Sequence, residues 1–242
     1  MSIPSLEFMQ FTPSSLLAAT RRSVVLLALA AAGCLATTDL NAQIVTWEFD
    51  GIDSGSNLPR PATTLDSNLA SATIGHGAGV AITGPSGTIA GGNMSSTSLA
   101  NAITDDKYLR FTLTPSANGQ FSVSSLTVYF STNSGSTHTA VLMSSATGFT
   151  SSSGLWNGSV AGSSSSTYSI DLSAVSALQN VSSATEFRFY SFGADGQLRI
   201  FNSAGTDLAV FGTTAAVPEP STYAALAGLA VFGLVVLRRR RR

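Results

Sequence analysis

Apolar residues alternate with polar ones along several short segments, and this period of two constrains the fold more than any other feature of the chain. In 108–113, Leu109, Phe111 and Leu113 occupy every second position. Side chains of a β-strand point alternately to opposite faces, so the pattern predicts a strand with one buried face. Further candidate strands lie at 44–49, 126–130, 138–143, 168–172, 186–190, 198–200 and 208–211, with turn-rich polar runs between many of them.

Many short strands with polar connections and little helical periodicity are typical of an antiparallel domain. We therefore predict a mainly β fold, an antiparallel β-sandwich of jelly-roll type, over residues 43–213. One helical turn is expected within 171–178. The two ends are predicted to be helical: a signal helix in 1–42 and a transmembrane helix within the sorting segment 214–242.

Charged side chains are scarce, and those between the two ends are mostly acidic. Asp, Glu, Lys and Arg make up 10% of the chain, against a usual ~25%. Between 43 and 217 there are ten acidic and five basic residues, so this part carries a net charge of −5. It has no basic stripe to neutralise phosphates, and nucleic acid is therefore not expected as a partner.

The first 42 residues have the three parts of a secretion signal. An Arg-Arg pair at 21–22 precedes an apolar run at 24–32, and small residues lead to Ala42 and Gln43. A basic segment, a short apolar segment and a small residue at the cut are the features of an exported leader. We therefore predict cleavage between Ala42 and Gln43.

Two other interpretations of the leader stay open. Cys34 follows Ala-Ala-Gly, which resembles a lipoprotein box in which the cysteine would carry lipid. The segment 20–25 resembles a twin-arginine export signal. Because Cys34 is the single cysteine, its removal with the leader would leave no thiol for a disulfide, a metal site or a nucleophile.

The C-terminus combines three elements in order. Val217, Pro218, Glu219 and Pro220 lead into an apolar run of 15 residues at 223–237. Five arginines then end the chain: Arg238, Arg239, Arg240, Arg241 and Arg242. The run is shorter than the ~20 residues that span a bilayer. Flanking residues and long arginine side chains could extend it, so we predict a transmembrane helix with its arginines in the cytoplasm.

These three elements resemble the PEP-CTERM sorting signal. In that family an exosortase, an integral membrane enzyme, recognises the Pro-Glu-Pro sequence and processes the protein near it. Family members occur in Gram-negative bacteria that make extracellular polysaccharide. The resemblance implies an inner-membrane precursor that is later delivered to the cell surface or the extracellular matrix. An ordinary tail anchor behind a proline-rich stalk is the alternative.

The middle of the chain resembles the ectodomains that often accompany such tails, through segments 46–50, 75–79 and 186–190. That resemblance implies an architecture and no activity. The glycine-dense segment 75–79 lacks the remaining residues of a dinucleotide or phosphate loop, so we interpret it as a surface loop. His76 and His138 have no zinc spacing, and no Gly-x-Ser-x-Gly elbow occurs.

We therefore expect no enzyme, no metal centre and no cofactor. Structural calcium held by separate loops stays open, with its residues unassigned. Glycoside hydrolysis by a carboxylate pair also stays open. The acids concerned are Asp50, Asp53, Asp105, Asp106, Asp171, Glu186, Asp195 and Asp207.

Aromatic side chains could stack on sugar rings. Trp47 lies in an apolar strand and is expected in the core, whereas Trp156 is predicted in a surface loop at 154–158. Tyr129 and Tyr190 are further candidates. The main interpretation is a non-enzymatic surface or matrix protein with a structural or interaction role. A carbohydrate-binding module that uses Trp156 on exopolysaccharide is the first alternative, and a glycoside hydrolase is the second.

Overall fold

A computed structural model of the protein describes residues 42–50, 58–82, 88–92, 94–133, 135–162, 164–217 and 220–240. The signal segment, apart from Ala42, therefore lies outside the described residues, and so does Cys34. Outside them too are Pro218 and Glu219 of the sorting motif, and the last two arginines.

Within the described residues, strands account for most of the regular structure, with two short stretches of helix and one longer helix. The strands are β1 (Ala42–Trp47), β2 (Arg60–Pro61), β3 (Thr64–Leu65), β4 (Leu69–His76), β5 (Ala81–Ile82), β6 (Thr88–Gly92), β7 (Tyr108–Pro115), β8 (Gly119–Thr132), β9 (His138–Ser144), β10 (Trp156–Val160), β11 (Ser165–Asp171), β12 (Thr185–Phe192), β13 (Leu198–Phe201) and β14 (Leu208–Ala216). The helices are α1 (Leu99–Thr104), a 3-10 turn (Ser176–Leu178) and α2 (Pro220–Arg239).

The strands form two antiparallel sheets. The larger has the order β3-β1-β14-β8-β13-β6-β5, with β11 also paired to β8. The smaller has the order β10-β9-β12-β7-β4-β2. The prediction of a mainly β, antiparallel fold is confirmed, and the predicted helical turn within 171–178 is present as the 3-10 turn. The jelly-roll connectivity stays a prediction.

Inward-pointing side chains of both sheets form one core. Trp47 of β1 meets Phe111 of β7 with ring centroids 5.6 Å apart, and Phe130 of β8 meets Phe189 of β12 edge-on at 5.0 Å. All four are at most 1% exposed. Burying a large apolar side chain contributes ~1.5–3 kcal/mol, so this contact between the sheets explains the alternation seen in the sequence. The placement of Trp47 in the core is confirmed.

Helix α1 covers part of the outer face of the six-stranded sheet, where the sequence predicted no helix. The Ser98 side chain accepts a hydrogen bond from the backbone N–H of Asn101 at 3.2 Å and caps the helix. Because the helix has six residues, it offers no periodic signal, and the capping serine is its main sequence mark. Its buried Ala102 belongs to a small cluster with Tyr108, Val141, Met143 and Tyr190.

The apolar tail forms α2, a helix of 20 residues. Within the residues that the structure describes, no helix has both the length and the apolar character needed to cross a membrane. The predicted transmembrane helix is therefore not supported. The reason lies in the composition, because the helix reaches its length by including Pro220 and two arginines beside the 15-residue apolar run.

Candidate functional site

The last strand of the domain leads directly into the sorting motif. Strand β14 pairs with β8 up to Ala216, which lies opposite Gly119. The backbone N–H of Val217 then donates to the carbonyl oxygen of Asn118. Helix α2 begins at Pro220. The motif at 217–220 therefore starts where sheet pairing ends, with no spacer before it.

The end of β14 has a paired neighbour on one side only among the described strands. Strand β1 pairs with β14 from Leu208 to Gly212, because β1 begins at Ala42, opposite Gly212. Residues 213–216 continue along β8 alone. We call this segment the β14 arm. A strand segment with one neighbour has half the ladder hydrogen bonds of a central strand, so the arm is the part of β14 that opens most easily.

Side-chain hydrogen bonds join the β14 arm to the turn at 66–68. The Thr214 hydroxyl donates to Oδ1 of Asp66 at 2.6 Å, and Nδ2 of Asn68 donates to Oγ1 of Thr214 at 3.1 Å. The Asn68 backbone N–H also donates to Oδ1 of Asp66 at 2.8 Å. We call Thr214, Asp66 and Asn68 the Thr214 clasp. Thr214 lies four positions before Pro218, so the clasp holds the chain just ahead of the motif.

Large apolar side chains of α2 are exposed on several sides. Leu229, Val231, Phe232 and Val235 are 67%, 61%, 68% and 58% exposed. A helix that is apolar around its circumference normally lies in an apolar environment. The tail therefore has the surface expected of a segment that is covered by lipid or by another protein.

Glu48 and Asp207 form a carboxyl pair where β1 ends and β14 begins. Asp207 is 0% exposed. Its Oδ2 accepts a hydrogen bond from the Phe49 backbone N–H at 2.7 Å, and its Oδ1 accepts one from the Ser203 N–H at 2.6 Å. Glu48 Oε1 is buried and has no hydrogen-bond partner among the described residues.

The environment of this pair favours protonation. Burial raises the pKa of Glu48 to about 7, and the hydrogen bond and charge of Asp207 and the charge of Asp50 act in the same direction. Burial also raises the pKa of Asp207, although the backbone donors Ser203 and Phe49 lower it. Two adjacent carboxylates repel each other, so the pair retains a proton more readily than either acid alone.

Glu186, another acid considered for catalysis, is engaged by two arginines. Arg110 Nη1 lies 3.0 Å from Glu186 Oε2, and Arg188 Nε lies 2.6 Å from Glu186 Oε1. The Arg188 guanidinium also lies over the rings of Tyr108 and Phe149, at 4.1 and 3.8 Å from their centroids. The carboxylate is thus held as part of an ion-pair network on the outer face of the smaller sheet.

The other acids proposed from the sequence are dispersed. Asp105 is exposed and pairs with Lys107 at 3.7 Å, and Asp106 is exposed beside it. Asp50, Asp171 and Asp195 are exposed in three separate parts of the chain, while Asp53 lies outside the described residues. Within the described part, no group of three His, Cys, Asp or Glu side chains is placed to hold a metal ion.

The two histidines differ in their surroundings. His76 is half-buried at the end of β4, with Nδ1 2.8 Å from the Gly77 carbonyl oxygen. His138 is 0% exposed, and its Nδ1 lies 2.9 Å from Oγ of Ser191, which is also 0% exposed. Burial lowers the pKa of His138. This serine and histidine are in contact, but both are closed to solvent.

Trp156 begins strand β10 and does not lie in a loop as the sequence suggested. It pairs with Leu142 of β9. Its ring is half-buried, lies over Gly158 and meets the Tyr168 ring at 5.8 Å, edge-on. Of the other aromatic candidates, Tyr190 is 0% exposed, while Tyr129 is half-buried. Stacking of Trp156 on a sugar stays a prediction.

The glycine-dense segment has a packing explanation. Gly75 and His76 belong to β4, so the interpretation of the whole segment as a surface loop is wrong for these two residues. A Cβ on Gly77 would lie 2.1 Å from the carbonyl oxygen of Asp106, and one on Gly79 would lie 1.8 Å from that of Asp105. Glycine is needed at these two positions because two backbone segments touch.

The sequence did not point to Thr214, Asp66, Asn68 or Glu48 as notable residues. Asp-Ser-Asn at 66–68 is a turn signal. Nothing in that turn indicates its contact with a threonine 148 positions later. Glu48 lies in the predicted strand 44–49, and its proximity to Asp207 likewise depends on the pairing of the first and last strands.

Together these features define a class: a mainly β domain followed at once by a Pro-Glu-Pro motif, an apolar helix and an arginine cluster. Residues 216–242 match the family model described as the PEP-CTERM protein-sorting motif. The sorting tail expected from the sequence is therefore confirmed. The motif indicates an exported protein that is targeted to an exosortase and processed at the membrane. A search among curated proteins found no match.

Proposed function

We propose that this chain is an exosortase substrate whose β domain has a non-enzymatic, structural or interaction role at the cell surface or in the extracellular matrix. The observation that carries the proposal is the match of 216–242 to the sorting motif. The match begins at Ala216, the last residue of β14. The domain therefore ends where the sorting signal begins.

The tail is proposed to enter the inner membrane with its arginines on the cytoplasmic side. The exposed apolar side chains of α2 support entry, because they favour an apolar environment over water. Each arginine would cost ~2.5–3.5 kcal/mol in the centre of a bilayer. The arginine cluster is therefore proposed to remain in the cytoplasm while the β domain lies outside.

The non-enzymatic role is supported by where the carboxyl groups lie. Glycosidases that retain configuration need two carboxyl groups ~5–5.5 Å apart around an accessible bond. Asp207 is 0% exposed against Glu48, and Glu186 is occupied by Arg110 and Arg188. A role in binding or in building the matrix would not require these carboxyl groups to be accessible.

Replacing the acid of the motif tests the exosortase assignment. Glu219→Ala should block processing, because it removes the only charge of the Pro-Glu-Pro sequence that the enzyme is expected to recognise. The measurement is fractionation of cells that express the full-length chain together with an exosortase. Uncleaved Glu219→Ala precursor should accumulate in the inner-membrane fraction.

Asp105→Ala is the matched control, since it removes an exposed acid from the β domain. It should be processed like the unchanged chain. Normal processing of Glu219→Ala would show that the tail serves only as an anchor and would contradict the proposal.

Carbohydrate binding is the second candidate function, and the position of Trp156 favours it. The ring is half-buried at the edge of the smaller sheet, next to Tyr168. Exposed hydroxyl side chains follow it in β11, at Ser165, Ser166 and Thr167. An aromatic face beside hydroxyl groups suits a sugar ring, which has apolar faces and polar edges.

Pull-down of the exported protein on insoluble polysaccharides tests this candidate. Trp156→Ala should lower retention about tenfold if the ring stacks on sugar, in line with ~1–1.5 kcal/mol for an aromatic contact. Phe201→Ala, at a half-buried aromatic that is not a stacking candidate, is the control. Equal retention of both variants would contradict the stacking role. Release of reducing ends that one Asp or Glu substitution abolishes would instead establish a glycoside hydrolase.

A further inference from the structure

The sorting motif lies very close to the folded domain. Ala216 is the last residue paired with β8, and Pro218 is two positions further on. Two extended residues span at most ~7 Å. The motif can therefore move only a few ångströms from the sheet while the β14 arm stays paired.

An enzyme that recognises an extended segment also needs access to the backbone on the N-terminal side of that segment. Such enzymes and binding domains commonly hold a peptide by main-chain hydrogen bonds, as an added strand. In 213–216 the hydrogen bonds toward β8 are already made, and Val217 donates to Asn118. Binding of the motif in a membrane-embedded cleft would compete with this pairing.

The Thr214 clasp strengthens the pairing at its weakest point. Without it, the arm would be joined to the domain by its ladder with β8 and by the Val217 hydrogen bond. The clasp adds a hydrogen bond to the Asp66 carboxylate and one from Asn68. A hydrogen bond to a charged group contributes more than one between neutral groups, so the clasp is a substantial part of what keeps the arm closed.

We propose that the Thr214 clasp controls the access of exosortase to the sorting motif. In this view the β14 arm must leave β8 before processing, and the clasp sets how often it does so. The proposal rests on the proposed function, because it concerns the regulation of the same processing step. It makes Thr214 a positioning residue for sorting, outside the recognised motif.

A valine at 214 tests the clasp. Thr214→Val keeps the branched side chain and removes the hydroxyl, and with it the hydrogen bonds to Asp66 and from Asn68. Opening of the arm should therefore become at least about tenfold more frequent, the effect expected from loss of the hydrogen bond to the carboxylate alone. Full-length chains would be followed by pulse–chase in cells that contain an exosortase. We expect processing of Thr214→Val to be at least about tenfold faster than that of the unchanged chain.

Two matched variants control for general effects. Thr213→Val removes a hydroxyl from the neighbouring position, which takes no part in the clasp, and it should be processed at the normal rate. Thr214→Ser retains a hydroxyl and should restore most of the normal rate. Hydrogen exchange in 213–217 should be faster in Thr214→Val than in the other two, which a change in enzyme recognition alone would not produce.

A spacer provides a test that leaves the clasp intact. Six Gly/Ser residues inserted between Ala216 and Val217 add up to ~20 Å of reach. Processing should become faster, and Thr214→Val should add nothing further in this background. Normal processing rates for both the spacer chain and Thr214→Val would overturn the proposal.

The outcomes separate this inference from the proposed function. Glu219→Ala should stay unprocessed with or without the spacer. If the unchanged chain is processed but neither Thr214→Val nor the spacer alters the rate, only the role of the clasp is wrong. If exosortase leaves the unchanged chain intact, the proposed function is wrong and the role of the clasp falls with it.

Discussion

At the scale of single residues, Glu48 illustrates how the fold changes the chemistry of an ordinary side chain. The acid lies at the end of β1, against the fully buried Asp207. Asp207 in turn joins two loops, because it accepts backbone hydrogen bonds from Phe49 and Ser203. The pair therefore links the first and last strands of the larger sheet through groups whose charge depends on pH.

Stability should fall as pH rises from about 4.5 to about 7. The pKa of Glu48 is about 7 in the folded chain against 4.5 for the free side chain, so the folded state binds a proton that the unfolded state has released. The stabilisation is complete below 4.5 and is lost as pH passes through 7. The raised pKa of Asp207 acts in the same direction. Urea unfolding midpoints of the exported protein across this range measure the effect.

Glu48→Gln should flatten that dependence, because an amide has the shape of the protonated acid and does not titrate. The contrary result is a Glu48→Gln midpoint that falls between pH 4.5 and 7 as steeply as that of the unchanged protein. It would mean that other groups cause the dependence.

The sequence predicted the burial of some single residues correctly but could not predict their long-range contacts. The burial of Trp47 followed from its apolar strand, since the neighbours that determine it are adjacent in sequence. The Glu48–Asp207 and Thr214–Asp66 contacts could not be predicted, because each joins residues far apart in the chain. The need for glycine at 77 and 79 likewise comes from the approach of 105–106.

At the scale of elements, the junction between β8 and β14 contains an irregularity that positions the β14 arm. Phe211 lies opposite Ser125, and Gly212 lies opposite Val123, so Ser124 is an extra residue in β8. Such a bulge bends the strand and increases its twist. The arm therefore begins at a bend, one residue after the last pairing with β1.

Gly212→Ala should destabilise the domain by ~1–3 kcal/mol, the usual cost of forcing an extra group into a packed site. A Cβ at 212 would lie 1.8 Å from the Ser122 carbonyl oxygen. Gly135→Ala is the control, because a Cβ there would meet nothing within 4 Å. It should change stability by at most ~0.5 kcal/mol. Equal thermal midpoints for the two variants would show that the bulge relaxes at no cost.

The longer strands were predictable, and several other elements were not. Strands β7, β8, β9, β12 and β14 each contain a segment that alternates or is continuously apolar, and they form the centre of the two sheets. Strand β4 has two large apolar side chains, Leu69 and Ile74, which stand five positions apart and therefore do not show a period of two. The two-residue strands β2, β3 and β5 are too short to show any pattern.

At the scale of the whole chain, the sorting tail was predictable because it is a linear motif, recognised from contiguous residues. The predicted transmembrane span was not supported, because its length depended on extension by polar and charged residues at both ends. How closely the tail joins the domain could not be read from the sequence. It follows from the end of β14 at Ala216, three residues beyond the last position, 213, of the predicted domain.

The pairing of the first and last strands also determines how the domain would bear tension. Strands β1 and β14 are antiparallel neighbours, and Ala42 lies opposite Gly212. The chain therefore enters and leaves at the same end of one strand pair. A force that pulls the signal segment away from the tail would act along the hydrogen bonds between β1 and β14. It would break them one residue pair after another, starting from that end. Cleavage between Ala42 and Gln43, as predicted from the sequence, would remove one of the two ends through which such a force could be applied.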